Sequence, residues 1–151
     1  MSVNEAQQRV QQLVSFNLAQ VNHKLFRHTN RELAKLPTPV LMEQLPILFM
    51  LYLFGDECKS QQEIANALDK DKSGILRSIR TLEKNKYVRV VQDADDRRKN
   101  SVCLTEAGKA VCELAIDTAQ SLDKEITEHL TAEETESLLR ILNKINTAIS
   151  N

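Results

Sequence analysis

The sequence predicts a mainly α-helical chain that carries one small β-hairpin. Three observations support this. Only three glycines and three prolines occur in 151 residues, too few breakers for long loops or disorder. Apolar residues recur at helical spacing over most of the chain. Between Val88 and Thr105 that spacing gives way to two short β-branched runs around a charged tip. The length suits one ordinary domain, or one domain with helices attached, and excludes two large independent ones.

The first helix is expected from about Asn4 to Asn30, where Val10, Val14, Leu18, Val21 and Leu25 alternate in steps of three and four. Such a narrow apolar stripe needs cover, from the body of its own domain or from a second copy of itself. Lys35-Leu36-Pro37-Thr38-Pro39 ends it, because each proline disfavours helical geometry at the residue before it. Glu43 to Phe54 is apolar nearly all round and reads as a buried helix, with Pro46 tolerated in a first turn and Gly55 as the stop. Ser60-Gln61-Gln62-Glu63 is a capping box that opens a short helix to Leu68, burying Ile64, Ala65 and Leu68. After a turn at Asp69-Lys70-Asp71, a helix N-capped by Asp71 runs to about Asn85 with Ile75, Leu76, Ile79 and Leu82 inward. Two short helices joined by a tight turn make a helix-turn-helix candidate.

Val88, Val90 and Val91 begin the hairpin, Asp93 to Asn100 form its polar tip, and Ser101 to Thr105 complete it. Thr105 can N-cap a further helix carrying Ala107, Val111, Leu114, Ala115, Thr118, Leu122, Glu125 and Ile126 at helical intervals. Thr131-Ala132-Glu133-Glu134 is a second capping box, opening a last helix with Leu138, Leu139, Leu142, Ile145 and Ile149 on its inner face. Helix, helix-turn-helix, hairpin, long helices: this order is a winged helix-turn-helix with helical extensions at both ends.

Several function classes are disfavoured. Cys58, Cys103 and Cys112 are odd in number and lack CxxC spacing, which suits a reducing cytoplasm better than a disulfide framework. His23, His28 and His129 have no common zinc-site spacing, so no metal is expected. The N-terminal residues lack a signal-peptide core, and the apolar stretch from Leu45 to Phe54 is too short to span a bilayer. A soluble cytoplasmic protein without a membrane partner is expected. There is no nucleophile with a base, no paired carboxylates and no phosphate-cradling Gly-rich loop, so neither an enzyme nor a cofactor is expected.

Three motifs together resemble the winged-helix signature of the MarR (multiple antibiotic resistance regulator) family. They are Leu82-Glu83-Lys84, the tip Asp93-Ala94-Asp95-Asp96-Arg97-Arg98, and Leu104-Thr105-Glu106-Ala107-Gly108. The likeness runs from about Gln44 into the C-terminal helices. It implies a homodimer whose dimerisation helices, 4–30 and 106–151, intertwine. Two winged helix-turn-helix lobes, 40–105, would then grip a pseudo-palindromic operator in double-stranded DNA, as a ligand-responsive repressor. Two departures stand out. Lys86 occupies a position where the family usually has glycine, at a cost of about 1 kcal/mol unless Asn85 takes the left-handed turn. Ser73-Gly74 replaces the usual small residue and Thr or Ser, so base preference does not transfer.

The charge pattern fits that docking. The net charge of −1 hides an asymmetry. Ten Lys or Arg face six Asp or Glu between Asp69 and Asn100, whereas four face nine from Ser101 onward. A helix N-terminus in the major groove is served by Lys72, Ser73, Gly74 and Arg77, with Arg80 on the same solvent side as Arg77 and Ser60 and Gln61 at the start of the preceding helix. Arg97, Arg98 and Lys99 at the hairpin tip can enter a narrow minor groove, and one of the preceding aspartates can hold an arginine in place. The family pattern assigns that support to Asp96 for Arg98. For sensing, the resemblance implies a small aromatic ligand near Phe16, Phe26, Phe49 and Tyr52, or an oxidant at Cys58, an exposed position in a loop. Cys103 is expected to point away from the face of Val102 and Leu104. Besides this redox-sensing alternative, a winged-helix module that binds protein instead of DNA is the competing reading, and the near-neutral charge permits it.

Overall fold

The computed structural model describes residues 2–55, 57–92 and 100–149. It divides into two compact units, Met1–Ile116 and Asp117–Asn151. In the first, the expected single N-terminal helix is two, α1 (Val3–Gln11) and α2 (Val14–Leu33). A capping box unread in the sequence starts α1: the Ser2 hydroxyl accepts from the Glu5 amide and the Glu5 carboxylate accepts from the Ser2 amide. The apolar stripe continues across the break, but Leu13 is extended at φ −74°, ψ 126° and interrupts the ladder. The Asn17 side-chain amide repairs part of the loss by donating to the carbonyls of Gln11 and Leu13, each at 2.8 Å. No glycine or proline marks the spot, so the stripe alone could not reveal it.

After the proline-containing linker, a 3-10 turn (Met42–Gln44) leads into α3 (Leu45–Leu53), with Pro46 in the first turn and Gly55 at φ +67° closing the helix end. A two-residue strand β1 (Lys59–Ser60) precedes α4 (Gln61–Ala67) and α5 (Lys72–Lys84). Strands β2 (Val88–Gln92) and β3 (Asn100–Leu104) follow, then α6 (Glu106–Thr127). The sheet has three strands in the order β1-β3-β2, all antiparallel, with Lys59 opposite Val102 and Val90 opposite Val102 on the other side. The hairpin was expected and β1 was not, since two residues show no periodicity.

One core joins these elements. Leu48 and Leu51 of α3, Ile64 of α4, Leu82 of α5, Val102 of β3 and Val111 of α6 are all completely buried. Each such side chain contributes about 1.5–3 kcal/mol relative to exposure. The inner faces of α4 and α5 are close to those expected, with Ile64, Ala65, Ile75, Ile79 and Leu82 buried, while Leu68 and Leu76 are only partly covered. Gln44 is the buried polar residue of this region, and its side-chain oxygen accepts from the Leu41 amide at 3.1 Å.

In the second unit, the capping box Thr131–Glu134 opens α7 (Ala132–Ile149), with both reciprocal bonds formed at 2.8 and 3.2 Å. The expected inner face is not inside. Leu139 is 59% exposed and Ile149 77%, and Leu138 and Leu142 are also exposed. Helical spacing reports that a face needs cover, not that its own chain supplies it. The stripe of α1 and α2 behaves alike, with Val10, Val14, Val21 and Leu25 exposed. Among the described residues, no helix is long and apolar enough to cross a membrane.

Candidate nucleic-acid interface

The helix-turn-helix is built from its caps. Ser60 accepts from the Glu63 amide at 3.2 Å, and Glu63 accepts from the Ser60 amide at 2.7 Å. These bonds, the Ser60 side chain first, hold the Glu63 carboxyl below its ordinary pKa. The turn to α5 passes through Asp69 at φ 48°, a left-handed residue for which aspartate is among the better choices. Asp71 then caps α5 by accepting from the Gly74 amide at 2.7 Å. A Cβ at Gly74 would lie 3.0 Å from the Asp71 carboxylate, so the glycine has a local reason besides close approach to a ligand.

On the outer face, Lys72, Ser73, Arg77 and Arg80 are exposed, and Gly74, Ser60 and Gln61 are partly so. Lys72, Arg77 and Arg80 make no ion pair with any described residue. The result is a row of cations, uncompensated among the described residues, at the start and middle of one helix, next to the amide-rich beginning of α4. Arg89 is a further exposed cation, on β2 of the hairpin, that the sequence reading did not single out. Asp96, Arg97, Arg98 and Lys99 lie outside the described residues.

The hairpin root is tied to the helices by the motif residues. Glu83 accepts from the Val90 amide at 3.1 Å, joining the end of α5 to β2. The Thr105 hydroxyl donates to the carbonyls of Lys86 and Tyr87, at 2.7 and 3.0 Å, and accepts from the Gly108 amide at 3.0 Å. Gly108 packs so closely that a Cβ there would sit 2.1 Å from the Tyr87 carbonyl oxygen. The Leu-Thr-x-x-Gly pattern is thus a steric and hydrogen-bonding requirement. Lys86, not Asn85, takes the left-handed turn, at φ 64°. The Tyr87 hydroxyl donates to the Pro39 carbonyl at 3.1 Å, and burial raises its pKa.

The cysteines depart from expectation. Cys58 and Cys103 form a disulfide, with Cα atoms 4.3 Å apart. Pairing of Lys59 with Val102 puts residue 58 directly across from residue 103, a neighbour relation set by β1 and hidden from any local motif. Cys58 is exposed as expected, and Cys103 is buried beneath the bridge. Cys112 is a buried free thiol whose pKa desolvation pushes up to about 11. The four aromatic candidates differ in setting. Phe49 and Tyr52 pack against the core, Phe16 lines a hollow of about 340 Å³ with Ala19, Gln20, His23 and Lys24, and Phe26 is 39% exposed. Among the described residues, no cluster of His, Cys, Asp or Glu could hold a metal ion.

A capped helix pair followed by a hairpin packed on one core defines a winged helix-turn-helix protein. Residues 38–99 match the model of the MarR family. The multiple antibiotic resistance protein MarR of Salmonella typhimurium is 29% identical over 126 residues, 83% of this chain and 85% of that protein. The HTH-type transcriptional regulator PrsX of Escherichia coli is 33% identical over 99 residues, 65% of this chain and 58% of its own length. A mutant E. coli MarR crystallised in complex with operator DNA superimposes with a TM-score of 0.73 at 27% identity, covering 87% of this chain and 92% of that one. The Staphylococcus aureus MepR–DNA complex shares the fold, with a TM-score of 0.77 at 23% identity over 90% of this chain and 98% of that one. In its winged helix-turn-helix lobe and in its fold, the chain is similar to MarR-family transcriptional regulators.

Proposed function

We propose that this chain is a homodimeric, DNA-binding transcriptional repressor working in the cytoplasm. The observation that carries the reading is the row Lys72, Arg77 and Arg80 on α5, exposed and without an ion-pair partner among the described residues, on a helix whose start is fixed by the Asp71 cap. A helix presented this way fits the major groove, where an arginine can read a guanine edge and backbone amides can receive phosphate. The tip residues Arg97, Arg98 and Lys99, with Asp96 in support, would serve the minor groove. A second copy would cover the apolar faces of α1, α2 and α7 and set two lobes one helical turn of DNA apart on a pseudo-palindrome. In this reading 4–30 and 106–151 are the dimerisation helices and 40–105 the reading lobe. A small aromatic effector would act at Phe16 and Phe26, which retain exposure, since the core already uses Phe49 and Tyr52.

Binding of a duplex from the protein's own upstream region, measured against salt, tests the proposal. Phosphate contacts make affinity fall steeply with ionic strength. Arg77→Ala should weaken the operator more than random DNA, and Arg98→Ala should weaken both alike. Equal losses would remove the division between reader and wing, and no salt-dependent binding at all would favour a protein-binding module.

A further inference from the structure

We propose that Glu83 is a positioning residue of the DNA-binding lobe: by accepting from the Val90 amide, its carboxylate fixes the angle of the hairpin to α5, so that both elements can meet one duplex. The inference rests on the DNA-reading function proposed above and adds what aligns its two parts. Its first support is a charge that does not pair with its neighbours. Arg80 is one turn before Glu83 on α5, Lys84 and Lys86 follow it, and Arg89 adjoins Val90 on β2. Among the described residues Glu83 makes an ion pair with none of them. It accepts instead from the backbone amide of Val90, at 3.1 Å. A carboxylate here repels the phosphates that the surrounding cations would attract, so it opposes DNA binding unless it serves that binding indirectly.

The second support is where the bond lies in the sheet. The strand order β1-β3-β2 leaves β2 at an edge, with one side facing β3 and the other open. Val90 stands opposite Val102 in that ladder, and its amide turns to the open side, toward α5. Val88 is buried in the core, but Arg89, Val91 and Gln92 are exposed and Val90 is only partly covered. Beyond Val88 the core therefore does little to hold the strand. On the far side, β3 is tied by its pairing with β1 and by the Cys58–Cys103 bond. On the near side, Glu83 provides the tie to α5.

The third support is that Glu83 acts on both elements at once. Its backbone carbonyl accepts from the Lys86 amide at 2.9 Å and closes the last turn of α5, while its side chain reaches the strand into which that turn leads. The face of α5 that carries Arg77 and Arg80 and the course of β2 thus share one point of reference. Seating α5 in a major groove fixes the lobe on the duplex, and the hairpin then meets the neighbouring backbone at the angle Glu83 holds. A preset angle spares the freedom that a loose hairpin would lose on binding.

Substitutions of Glu83 in the full-length protein separate position from charge. Glu83→Gln keeps an acceptor oxygen and loses the charge, Glu83→Asp keeps the charge and loses reach, and Glu83→Ala loses both. Fluorescence anisotropy gives the affinity of each for the upstream duplex across a salt series, and amide hydrogen exchange gives the protection of Val90. Glu83→Gln should bind as tightly as the parent or up to about threefold more tightly, because a repulsive charge is gone. Glu83→Asp and Glu83→Ala should bind about fivefold more weakly at an unchanged urea midpoint, with a log–log salt slope shallower by about 0.9, the loss of one phosphate contact. Val90 should exchange faster in those two variants alone. A solvated acid without a positioning role would strengthen binding in Glu83→Gln and Glu83→Ala alike, and that result would overturn the inference. Unchanged salt slopes, equal Val90 exchange in every variant, or a fall in urea midpoint that accounts for the weaker binding would overturn it too. Absence of duplex binding by the parent would defeat the DNA-reading function and the positioning role with it, while the exchange rates would still report whether Glu83 holds β2.

Discussion

Replacing Gly108 by alanine would place a methyl group where the Tyr87 carbonyl now lies. The new Cβ would sit 2.1 Å from that oxygen and 2.7 Å from Leu104 Cδ1. The leucine methyl belongs to a flexible side chain, but the carbonyl belongs to the backbone and would have to retreat by about 1 Å to reach a tolerable contact. That oxygen accepts from the Thr105 amide at 3.1 Å and from the Thr105 hydroxyl at 3.0 Å. Each bond is worth about 1 kcal/mol net, and forcing the close contact costs about 1–3 kcal/mol more. Alanine returns about 1 kcal/mol as a better helix former than glycine. The expected loss is about 2–4 kcal/mol, seen as a urea midpoint lowered by about 1–2 M in far-UV circular dichroism. Gly74→Ala is the control. Its Cβ would meet only the Asp71 carboxylate, at 3.0 Å, and that side chain can swing away. The partial loss of a cap, about 1 kcal/mol, is offset by the gain in helix propensity. A Gly108→Ala midpoint within about 0.5 kcal/mol of the parent, or an equal fall in both variants, would refute the reasoning.

Lys86→Gly should raise stability by about 1 kcal/mol, because an exposed lysine at φ 64° is replaced by the residue that adopts this conformation without a Cβ penalty; an unchanged or lower melting midpoint would count against it. Reducing the Cys58–Cys103 bond should lower stability by up to about 4 kcal/mol, from loop-closure entropy over their separation of 45 residues. Urea curves with and without reductant check this, and coincident curves would contradict it. The Cys112 thiol is held at about 11, above its ordinary 9.0, so folding favours the protonated form. Its contribution is fully present below pH 9 and is lost as pH rises through about 11. Iodoacetamide at pH 8 should label Cys112 only on unfolding, and rapid labelling of the native chain would show that the thiol is not buried.

The parts legible in the sequence are those whose causes are local. Ser60 with Glu63, Thr131 with Glu134 and Thr105 with Gly108 each satisfy helix-end amides within three residues, and each marks a true helix start. The outward set on α5 was also readable, because burial of Ile75, Ile79 and Leu82 fixes which way Arg77 and Arg80 face. What was not legible depends on distant partners. The break at Leu13 leaves the apolar stripe in phase, β1 exists only because β3 is beside it, and the Cys58–Cys103 bond follows from that pairing. The exposed faces of α1, α2 and α7 belong to this class too, since periodicity alone cannot say whose side chains will cover them. Gly74 and Ser60 carry a further lesson: residues proposed for an external ligand already have work inside the fold, so their loss would mix two effects.

The antiparallel placement of β1 beside β3 has a topological consequence. Once Cys58 is bonded to Cys103, the chain contains a covalent ring, with the N-terminal residues leaving at one junction and the C-terminal residues at the other. A protease that cuts once anywhere inside the ring opens it without separating the two ends, so the nicked protein migrates at full mass until a thiol is added. A cut outside the ring releases a fragment at once. Gels run with and without reductant therefore map each accessible peptide bond to the inside or outside of the DNA-reading segment, with no label and no knowledge of the operator.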